Sequence, residues 1–218
     1  MSSQKTKLFA KEFLNKLRRC EEIGEMTTFR RVRNLLKRLG FNELGRGSFG
    51  AVFDISHKHV VLKVMGIESN LAYIAYARHC QRAHASNPLL PKVFALTFVG
   101  DYAFMIMEKL QEFNTDAQAS RAANSIRNLF TPMEKGASSY FQDFDPSVNN
   151  LRKAERVLKV KSHKIEAACS KVAKILHREI YQNENYSTFL DVSYANVMRR
   201  YNPRSKTYTT VLTDPLAN

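Results

Sequence analysis

The segment Leu44–Phe53, which reads LGRGSFGAVF, constrains the fold of this 218-residue chain more than any other stretch. It carries glycines at Gly45, Gly47 and Gly50, and glycine lets a backbone come unusually close to a ligand or to another strand. The spacing G-x-G-x-x-G occurs in several phosphate-binding architectures, so it does not identify one of them by itself. The residues after Gly50 therefore decide which architecture applies.

Two of these architectures do not fit the residues after Gly50. A dinucleotide-binding fold needs a helix directly after the loop, so that the helix N-terminus meets the pyrophosphate. Here the loop runs into the apolar and β-branched segment Ala51–Ile55, which is typical of a strand. A Walker loop ends in Gly-Lys-Ser/Thr, whereas Gly50 is followed by Ala51. The remaining interpretation is a flap of two antiparallel strands folded over the phosphates of a nucleotide.

A lysine in the next strand supports the flap interpretation. The run VVLKV places Lys63 among apolar residues, and an ammonium group directed into a protein is costly without a partner. An edge-strand lysine that points to water is the alternative. The position of Lys63 after the glycine loop favours a lysine that neutralises phosphates.

The net charge limits the choice of partners. The chain has 34 Lys and Arg against 20 Asp and Glu, a formal charge of +14, which favours nucleotide phosphates, nucleic acid or acidic protein surfaces. Part of the excess lies in residues 7–20 and 28–40, where apolar residues recur at helical intervals opposite Lys and Arg. We expect two surface helices docked on the first lobe. Binding of nucleic acid or a partner by their basic faces is left open as the alternative.

Cysteine usage and hydropathy indicate a cytoplasmic protein. Cys20, Cys80 and Cys169 are odd in number, far apart and without metal-ligand spacing, which indicates reduced thiols. No apolar run approaches the ~20 residues that span a bilayer. The N-terminus has no apolar signal-peptide core. We therefore expect no membrane partner.

The order of predicted elements gives an α+β fold. Strands are predicted around the glycine loop, and a hairpin with its turn near Gly100 follows a helix. From Gln111 onward the sequence turns helical, with a helix over 115–130, a loop-like stretch and a basic helical region from 148. Two short strands end the chain. We expect a domain boundary near residues 110–114.

The glycine loop and Lys63 resemble the protein-kinase superfamily, and downstream segments match its order. FLDVSYANVM gives Asp191 and Asn196 in the spacing Asp-x-x-x-x-Asn, and VLTDP gives Asp214 after the last hairpin. The resemblance is strongest to the short early Ser/Thr protein kinases of autographiviruses, bacteriophages that disable host functions. It covers roughly residues 44–216 and includes Thr-Asp-Pro in place of Asp-Phe-Gly.

The resemblance implies a compact two-lobed fold and an activity that uses ATP and Mg²⁺. Its parts would be a basic helical N-terminal extension over 1–40, a β-rich N-lobe over 41–110 and a truncated, mainly helical C-lobe over 111–218. The implied activity is phosphorylation of Ser or Thr in host proteins with acidic surfaces, together with autophosphorylation. Nucleic-acid binding could accompany it.

The resemblance also assigns roles to individual residues. Asp191 would orient the attacking hydroxyl and accept its proton, Asn196 and Asp214 would hold Mg²⁺, and Lys63 would bind the α- and β-phosphates. The residues that would contact the nucleotide are Gly45, Gly47, Ser48, Phe49, Gly50, Val52, Lys63 and Glu108, the last through its main chain.

The sequence departs from the kinase pattern at two places. Glu68 is the only acidic residue between Val64 and Gly100, and we expect it to pair with Lys63 from the first turn of the helix. The alternative is that Lys63 relies on Asp214 and the nucleotide. The His-Arg before the catalytic Asp is replaced by Phe-Leu, and four residues follow Asp214, so no activation segment is expected.

Two other functions are compatible with these residues. The chain could be a pseudokinase whose basic surface binds and inhibits a host factor. It could also be a small-molecule phosphotransferase of the antibiotic-kinase type, which shares the Asp/Asn/Asp arrangement.

Overall fold

The computed structural model describes residues 3–47, 50–134, 144–184 and 187–217. The chain forms two compact units: unit 1 comprises Met1–Gln81 and Lys92–Lys109, and unit 2 comprises Arg82–Pro91 and Leu110–Asn218. The elements of unit 1 are α1 (Ser3–Arg18), α2 (Glu21–Gly24), α3 (Phe29–Arg38), β1 (Asn42–Arg46), β2 (Gly50–Asp54), β3 (Val60–Gly66), a 3₁₀ turn (Glu68–Asn70), α4 (Leu71–Ala83, which runs into unit 2), β4 (Val93–Val99) and β5 (Tyr102–Glu108).

Unit 1 is built on a five-stranded antiparallel sheet in the order β1-β2-β3-β5-β4. The β-branched and aromatic residues after Gly50 form β2, which pairs with β1 on one side and β3 on the other. The predicted antiparallel strands around the glycine loop and the hairpin near Gly100 are therefore confirmed. Gly100 has a φ of +52°, which the β4–β5 turn requires and which glycine adopts without strain.

The N-terminal helices cover one face of this sheet. The helical spacing of Leu14, Leu17, Val32 and Leu36 places them in one buried cluster with alternate residues of the central strands, such as Leu62. Side chains alternate between the faces of a strand, so Lys63 projects from the opposite face. The predicted docking of two amphipathic helices on the sheet is confirmed.

Unit 2 is mainly helical. Its elements are α5 (Asp116–Glu134), α6 (Val148–Leu158), α7 (Ser162–His177), a π-helical turn (Arg178–Gln182), β6 (Phe189–Leu190), a 3₁₀ turn (Tyr194–Asn196), β7 (Val197–Asn202), β8 (Thr207–Leu212) and β9 (Leu216–Ala217). α5 continues four residues beyond the predicted end at Phe130, through Pro132. β7 pairs with β8 as predicted, and β6 pairs with β9.

A segment from the middle of the chain belongs to unit 2. The Arg200 guanidinium of β7 donates to the carbonyl oxygens of Pro88 at 2.8 Å and Leu90 at 2.9 Å. The main-chain N–H of Leu212 in β8 donates to Leu89. These bonds fasten residues 82–91 to the C-terminal hairpin, which the sequence prediction did not include.

The three cysteines are free thiols, as predicted. Burial raises the pKa of Cys80 to about 12 and that of Cys169 still further, so both remain protonated at neutral pH. Among the described residues, no helix has the length and apolar composition needed to cross a bilayer.

Glu43 joins α3 to β1, which makes this contact sensitive to pH. The Arg33 guanidinium donates to both carboxylate oxygens of Glu43 at 2.8 Å, and the Lys37 ammonium lies 2.6 Å from one of them. These hydrogen bonds, led by that from Arg33, lower the pKa of Glu43. A lowered folded-state pKa stabilises the fold above the unfolded value near 4.3, and this stabilisation is lost as the pH falls through the folded value.

We predict that Glu43→Gln lowers the free energy of unfolding by about 1–3 kcal/mol at pH 7, because a partly buried charged hydrogen bond is lost. The difference from wild type should shrink as the pH falls below about 4. Urea unfolding followed by circular dichroism at several pH values measures both effects. Glu22→Gln is the matched control, because its ion pair with Arg38 is exposed and should contribute little. An equal loss for both variants would contradict the assignment.

Candidate functional site

The glycine loop is a tight hairpin end. The main-chain N–H of Gly47 donates to the carbonyl oxygen of Gly50 at 2.9 Å, which closes the turn between β1 and β2. Ser48 and Phe49, the predicted loop tip, lie outside the described residues. Their assignment stays a prediction.

The structure requires glycine at one of the three loop positions and not at the other two. A Cβ atom at Gly50 would lie 3.1 Å from the carbonyl oxygen of Val64, so the approach of β3 requires glycine there. Among the described residues, nothing lies within 4 Å of a Cβ atom built at Gly45 or Gly47, and neither glycine has a positive φ. Neither packing nor backbone conformation requires glycine at these two positions.

Three predicted nucleotide-binding residues are aligned across adjacent strands. Gly45 of β1 is opposite Val52 of β2, and Val52 is opposite Lys63 of β3. Directly opposed residues on neighbouring strands share a face of the sheet. The register therefore places Val52 and Lys63 side by side.

The Lys63 ammonium is held over an aromatic ring. Its nitrogen lies 3.7 Å from the centroid of the Tyr73 ring, which projects from α4 and is buried. The negative face of an aromatic ring attracts a cation, most strongly where water is excluded. Lys63 is half-buried and fixed in position by this contact.

The expected pairing of Glu68 with Lys63 is not seen among the described residues and stays a prediction. Glu68 is exposed in the 3₁₀ turn before α4, and no salt bridge joins it to Lys63 in the part of the chain described. The 3₁₀ turn starts only two residues after β3 ends, so Glu68 lies at the rim of the sheet, whereas Tyr73 follows within the first helical turn.

Glu108 has a structural role that limits how it could contact a ligand. Its side chain is buried and accepts a hydrogen bond from the Lys92 main-chain N–H at 2.8 Å, and its own N–H donates to the Lys92 carbonyl at 2.9 Å. The N–H of the next residue, Lys109, donates to His59. A nucleotide base could therefore meet Glu108 only at its carbonyl group, and this contact stays a prediction.

In unit 2, Asp191 and Asn196 are directly hydrogen-bonded. The Asn196 side-chain Nδ2 donates to Asp191 Oδ2 at 2.8 Å and to the Asp191 main-chain carbonyl at 2.9 Å. The five-residue spacing, closed by the 3₁₀ turn, permits this contact. Because the nitrogen is engaged twice, the amide orientation is fixed and Asn196 Oδ1 is directed away from Asp191.

Asp214 lies between two residues that are bonded to this pair. Thr213 donates to the Asn196 carbonyl oxygen through both its N–H and its hydroxyl, each at 2.9 Å. The Pro215 carbonyl oxygen accepts from the Asp191 N–H at 2.8 Å. Asp214 is thus held beside Asp191 and Asn196, although it follows them by about twenty positions.

The donor atoms in this part of unit 2 fit a magnesium ion. Mg²⁺ prefers oxygen ligands and is usually bound through one or two carboxylates together with substrate phosphates. Asp214 offers a half-buried carboxylate, and Asn196 offers its amide oxygen. These two residues are the ones that would hold the ion, as the sequence predicts.

An arginine from α5 supports the loop that carries Asp191. Arg127 Nη2 donates to the Val192 carbonyl oxygen at 2.8 Å. This bond fixes the main chain immediately after Asp191. Sequence reasoning missed Arg127 because α5 also carries Arg121, and nothing in the local pattern separates the two arginines.

Sequence reasoning also missed Tyr73 and Thr213. Tyr73 reads as one of several apolar residues on a helix, and only the distance to Lys63 separates it from core packing. Thr213 precedes Asp214 directly, so its proximity to a predicted ligand was the available signal. Its two hydrogen bonds to Asn196 depend on the pairing of β7 with β8.

Comparison with known proteins gives a limited likeness. No family model and no curated protein matches the chain. Among solved structures, a thermostable mutant of aminoglycoside phosphotransferase APH(4)-Ia in its apo form is similar over 44% of this chain and 36% of its own length, with 18% identity and a TM-score of 0.29. A ternary complex of such a mutant with ADP and hygromycin B has the same identity, TM-score and share of this chain, over 35% of its own length.

Aminoglycoside phosphotransferase APH(4)-Ia without the stabilising changes is similar over 44% of this chain and 36% of its own length, with 13% identity and a TM-score of 0.28. The chain thus spans about a third of the length of these proteins.

We predict that Tyr73→Leu weakens binding of an ATP analogue by about threefold to tenfold, because a cation–π contact contributes about 0.5–2 kcal/mol. Tyr73→Phe keeps the ring and should bind within about twofold of wild type. Titration with a fluorescent ATP analogue measures both constants, and circular dichroism checks folding. Similar affinities for the Leu and Phe variants would show that the ring does not position Lys63.

We predict that Arg127→Met speeds amide hydrogen exchange over residues 191–196 by about fivefold, since one hydrogen bond contributes about 1 kcal/mol. Arg121→Met, a change of the same kind at an exposed position of α5, is the control. Hydrogen exchange with mass spectrometry measures both. Unchanged exchange in Arg127→Met would mean that this bond does not hold the loop.

Proposed function

We propose that this chain is an ATP-dependent kinase that transfers the γ-phosphoryl group to a serine or threonine hydroxyl of a protein. The observation that carries the proposal is the hydrogen bond from Asn196 Nδ2 to Asp191 Oδ2. The bond uses Asp191 Oδ2 and Asn196 Nδ2, so it does not occupy Asp191 Oδ1 or Asn196 Oδ1. These two oxygens could then serve as proton acceptor and metal ligand, the roles that phosphoryl transfer uses.

The residues of unit 1 support nucleotide binding. Gly45 and Gly47 are glycine where neither packing nor backbone conformation requires it, which fits a loop that phosphates approach closely. Lys63 offers a half-buried ammonium beside Val52 on the same face of the sheet. An ammonium group in this setting fits the charge of the α- and β-phosphates.

The proposed reaction is an in-line displacement. The acceptor hydroxyl donates its proton to Asp191 Oδ1 as its oxygen bonds to the γ-phosphorus. The bond from that phosphorus to the β–γ bridging oxygen breaks, and ADP leaves with the electron pair. Asn196 and Asp214 would hold Mg²⁺, whose charge, when it is bound, offsets that of the phosphate oxygens. Arg127 and Thr213 keep the main chain around Asp191 and Asn196 in place.

The proposed acceptor is a protein with an acidic surface. The formal charge of +14 favours association with negatively charged partners. The resemblance to bacteriophage kinases implies that these partners are host proteins.

We predict that Asp191→Ala lowers the rate of phosphate transfer at least about 100-fold, because a positioned general base contributes about 10²–10⁴-fold. Lys63→Ala and Asp214→Ala should also abolish measurable transfer. Incubation with radiolabelled ATP, Mg²⁺ and an acidic protein such as casein measures the rate, and Asp101→Ala at an exposed turn is the control. Labelling that persists in Asp191→Ala would refute the proposal.

The acceptor class is tested in the same assay through ADP release. Release stimulated by casein and not by hygromycin B supports a protein acceptor. Release stimulated only by hygromycin B would reassign the chain to small-molecule phosphotransfer. Nucleotide binding without any transfer would indicate a pseudokinase.

A further inference from the structure

We infer that the cleft between α5 and α6 is a docking site for an acidic segment of the protein substrate. This inference rests on the proposed function and adds the surface that would hold the acceptor protein. The cleft lies within unit 2 and has a volume of about 460 Å³. The polar and charged side chains that line it are Ser125, Asn128, Asn150, Lys153 and Arg156.

Helical spacing places these side chains together. Asn150, Lys153, Ala154 and Val157 stand at positions i, i+3, i+4 and i+7 of α6, so they share one face of the helix. Ser125 and Asn128 are three residues apart on α5. Ala154 is buried and Val157 is half-buried. The cleft therefore combines a small apolar surface with donors on both helices.

A hydrogen bond between α5 and α6 lies at the cleft. In a regular helix the N–H of residue 132 would donate to the carbonyl of residue 128, but Pro132 has no N–H. The Asn150 side-chain amide donates to this Asn128 carbonyl oxygen instead, at 3.4 Å. The bond links the two helices at the cleft and fixes the side chain of Asn150.

The positive charge in the cleft is not neutralised by α6 itself. Glu155 is the only acidic residue of α6, and its carboxylate is directed toward the start of α7. It accepts hydrogen bonds from the Ser162 N–H at 3.1 Å and from the Ser162 hydroxyl, and it pairs with Lys161 at 3.5 Å. No carboxylate lines the cleft among the described residues.

Lys153 and Arg156 are exposed, and neither takes part in a salt bridge within the described part of the chain. The one side-chain hydrogen bond of Arg156 goes from Nε to the Arg152 carbonyl oxygen at 3.4 Å. The terminal nitrogens of its guanidinium can therefore bind a carboxylate in the two-pronged geometry that arginine favours.

The lining residues suit an acidic peptide better than a nucleic acid. Carboxylate side chains would meet Lys153 and Arg156, and the amide groups of Asn128 and Asn150 can pair with a peptide main chain. Single-stranded nucleic acid is bound mainly by aromatic stacking along a basic groove. None of the described residues that line this cleft is aromatic.

The first test measures binding without catalysis. Lys153→Glu/Arg156→Glu, introduced into the Asp191→Asn chain, should weaken binding of a fluorescein-labelled oligoglutamate peptide at least about tenfold, because two charge-assisted contacts become repulsive. Lys171→Glu/Lys174→Glu on α7 has the same spacing and charge change and should weaken it less than about threefold. Fluorescence anisotropy gives the affinities, and circular dichroism checks folding. Equal weakening by both pairs would overturn the inference.

The second test uses the active chain. The cleft pair should raise KM for casein about tenfold and leave kcat within about twofold, since docking acts on binding and not on the transferring groups. The neutralising pair Lys153→Gln/Arg156→Gln should give a smaller rise in KM. An unchanged KM in the charge-reversed chain would overturn the inference.

The experiments distinguish a failure of the kinase proposal from a failure of the docking inference. If no phosphate is transferred but the peptide binds at the cleft, the kinase proposal fails and the basic cleft stands as a binding site for acidic peptides. If phosphate is transferred and the cleft variants change nothing, the docking inference fails alone. Stronger binding of an oligothymidylate than of the peptide, lost in the same variants, would assign the cleft to nucleic acid and overturn the inference.

Discussion

The candidate active site depends on hydrogen bonds between the segment that carries Asp191 and Asn196 and the segment that carries Asp214. Thr213 donates twice to the Asn196 carbonyl oxygen, and the Asp191 N–H donates to the Pro215 carbonyl oxygen. Because these bonds lie on both sides of Asp214, the main chain at Asp214 is held next to the segment that carries Asp191 and Asn196. The pairing of β6 with β9 and of β7 with β8 adds main-chain contacts between the neighbouring residues of the two segments.

In unit 1 the half-buried Lys63 ammonium lies against an aromatic ring, in a part of the chain with few acidic residues. An unpartnered ammonium group inside a protein costs free energy, and the helix after β3 carries no carboxylate. The Tyr73 ring takes the place of that carboxylate at 3.7 Å from the Lys63 ammonium. An aromatic ring orients the cation without neutralising its charge.

Two carboxylates, those of Glu43 and Glu155, have structural roles. Glu43 joins α3 to β1 through Arg33, and Glu155 joins α6 to the start of α7 through Ser162. Both carboxylates have lowered pKa values because of these hydrogen bonds. Because Glu155 is bonded to Ser162 and Lys161, it does not neutralise the cations of the α5–α6 cleft, and no carboxylate lines that cleft among the described residues. That cleft is the inferred docking surface.

The sequence by itself determined the strand flap, the α+β class, the docking of the N-terminal helices and the short list of candidate site residues. These follow from local rules: the period of apolar residues, the strand after Gly50 and the spacing of Asp191 and Asn196. Only the tertiary structure decided which side chains meet. It placed Tyr73 beside Lys63, added Arg127 to the Asp191 loop and fastened residues 82–91 to the C-terminal hairpin. Those contacts join residues far apart in the chain, and no local pattern encodes their distances.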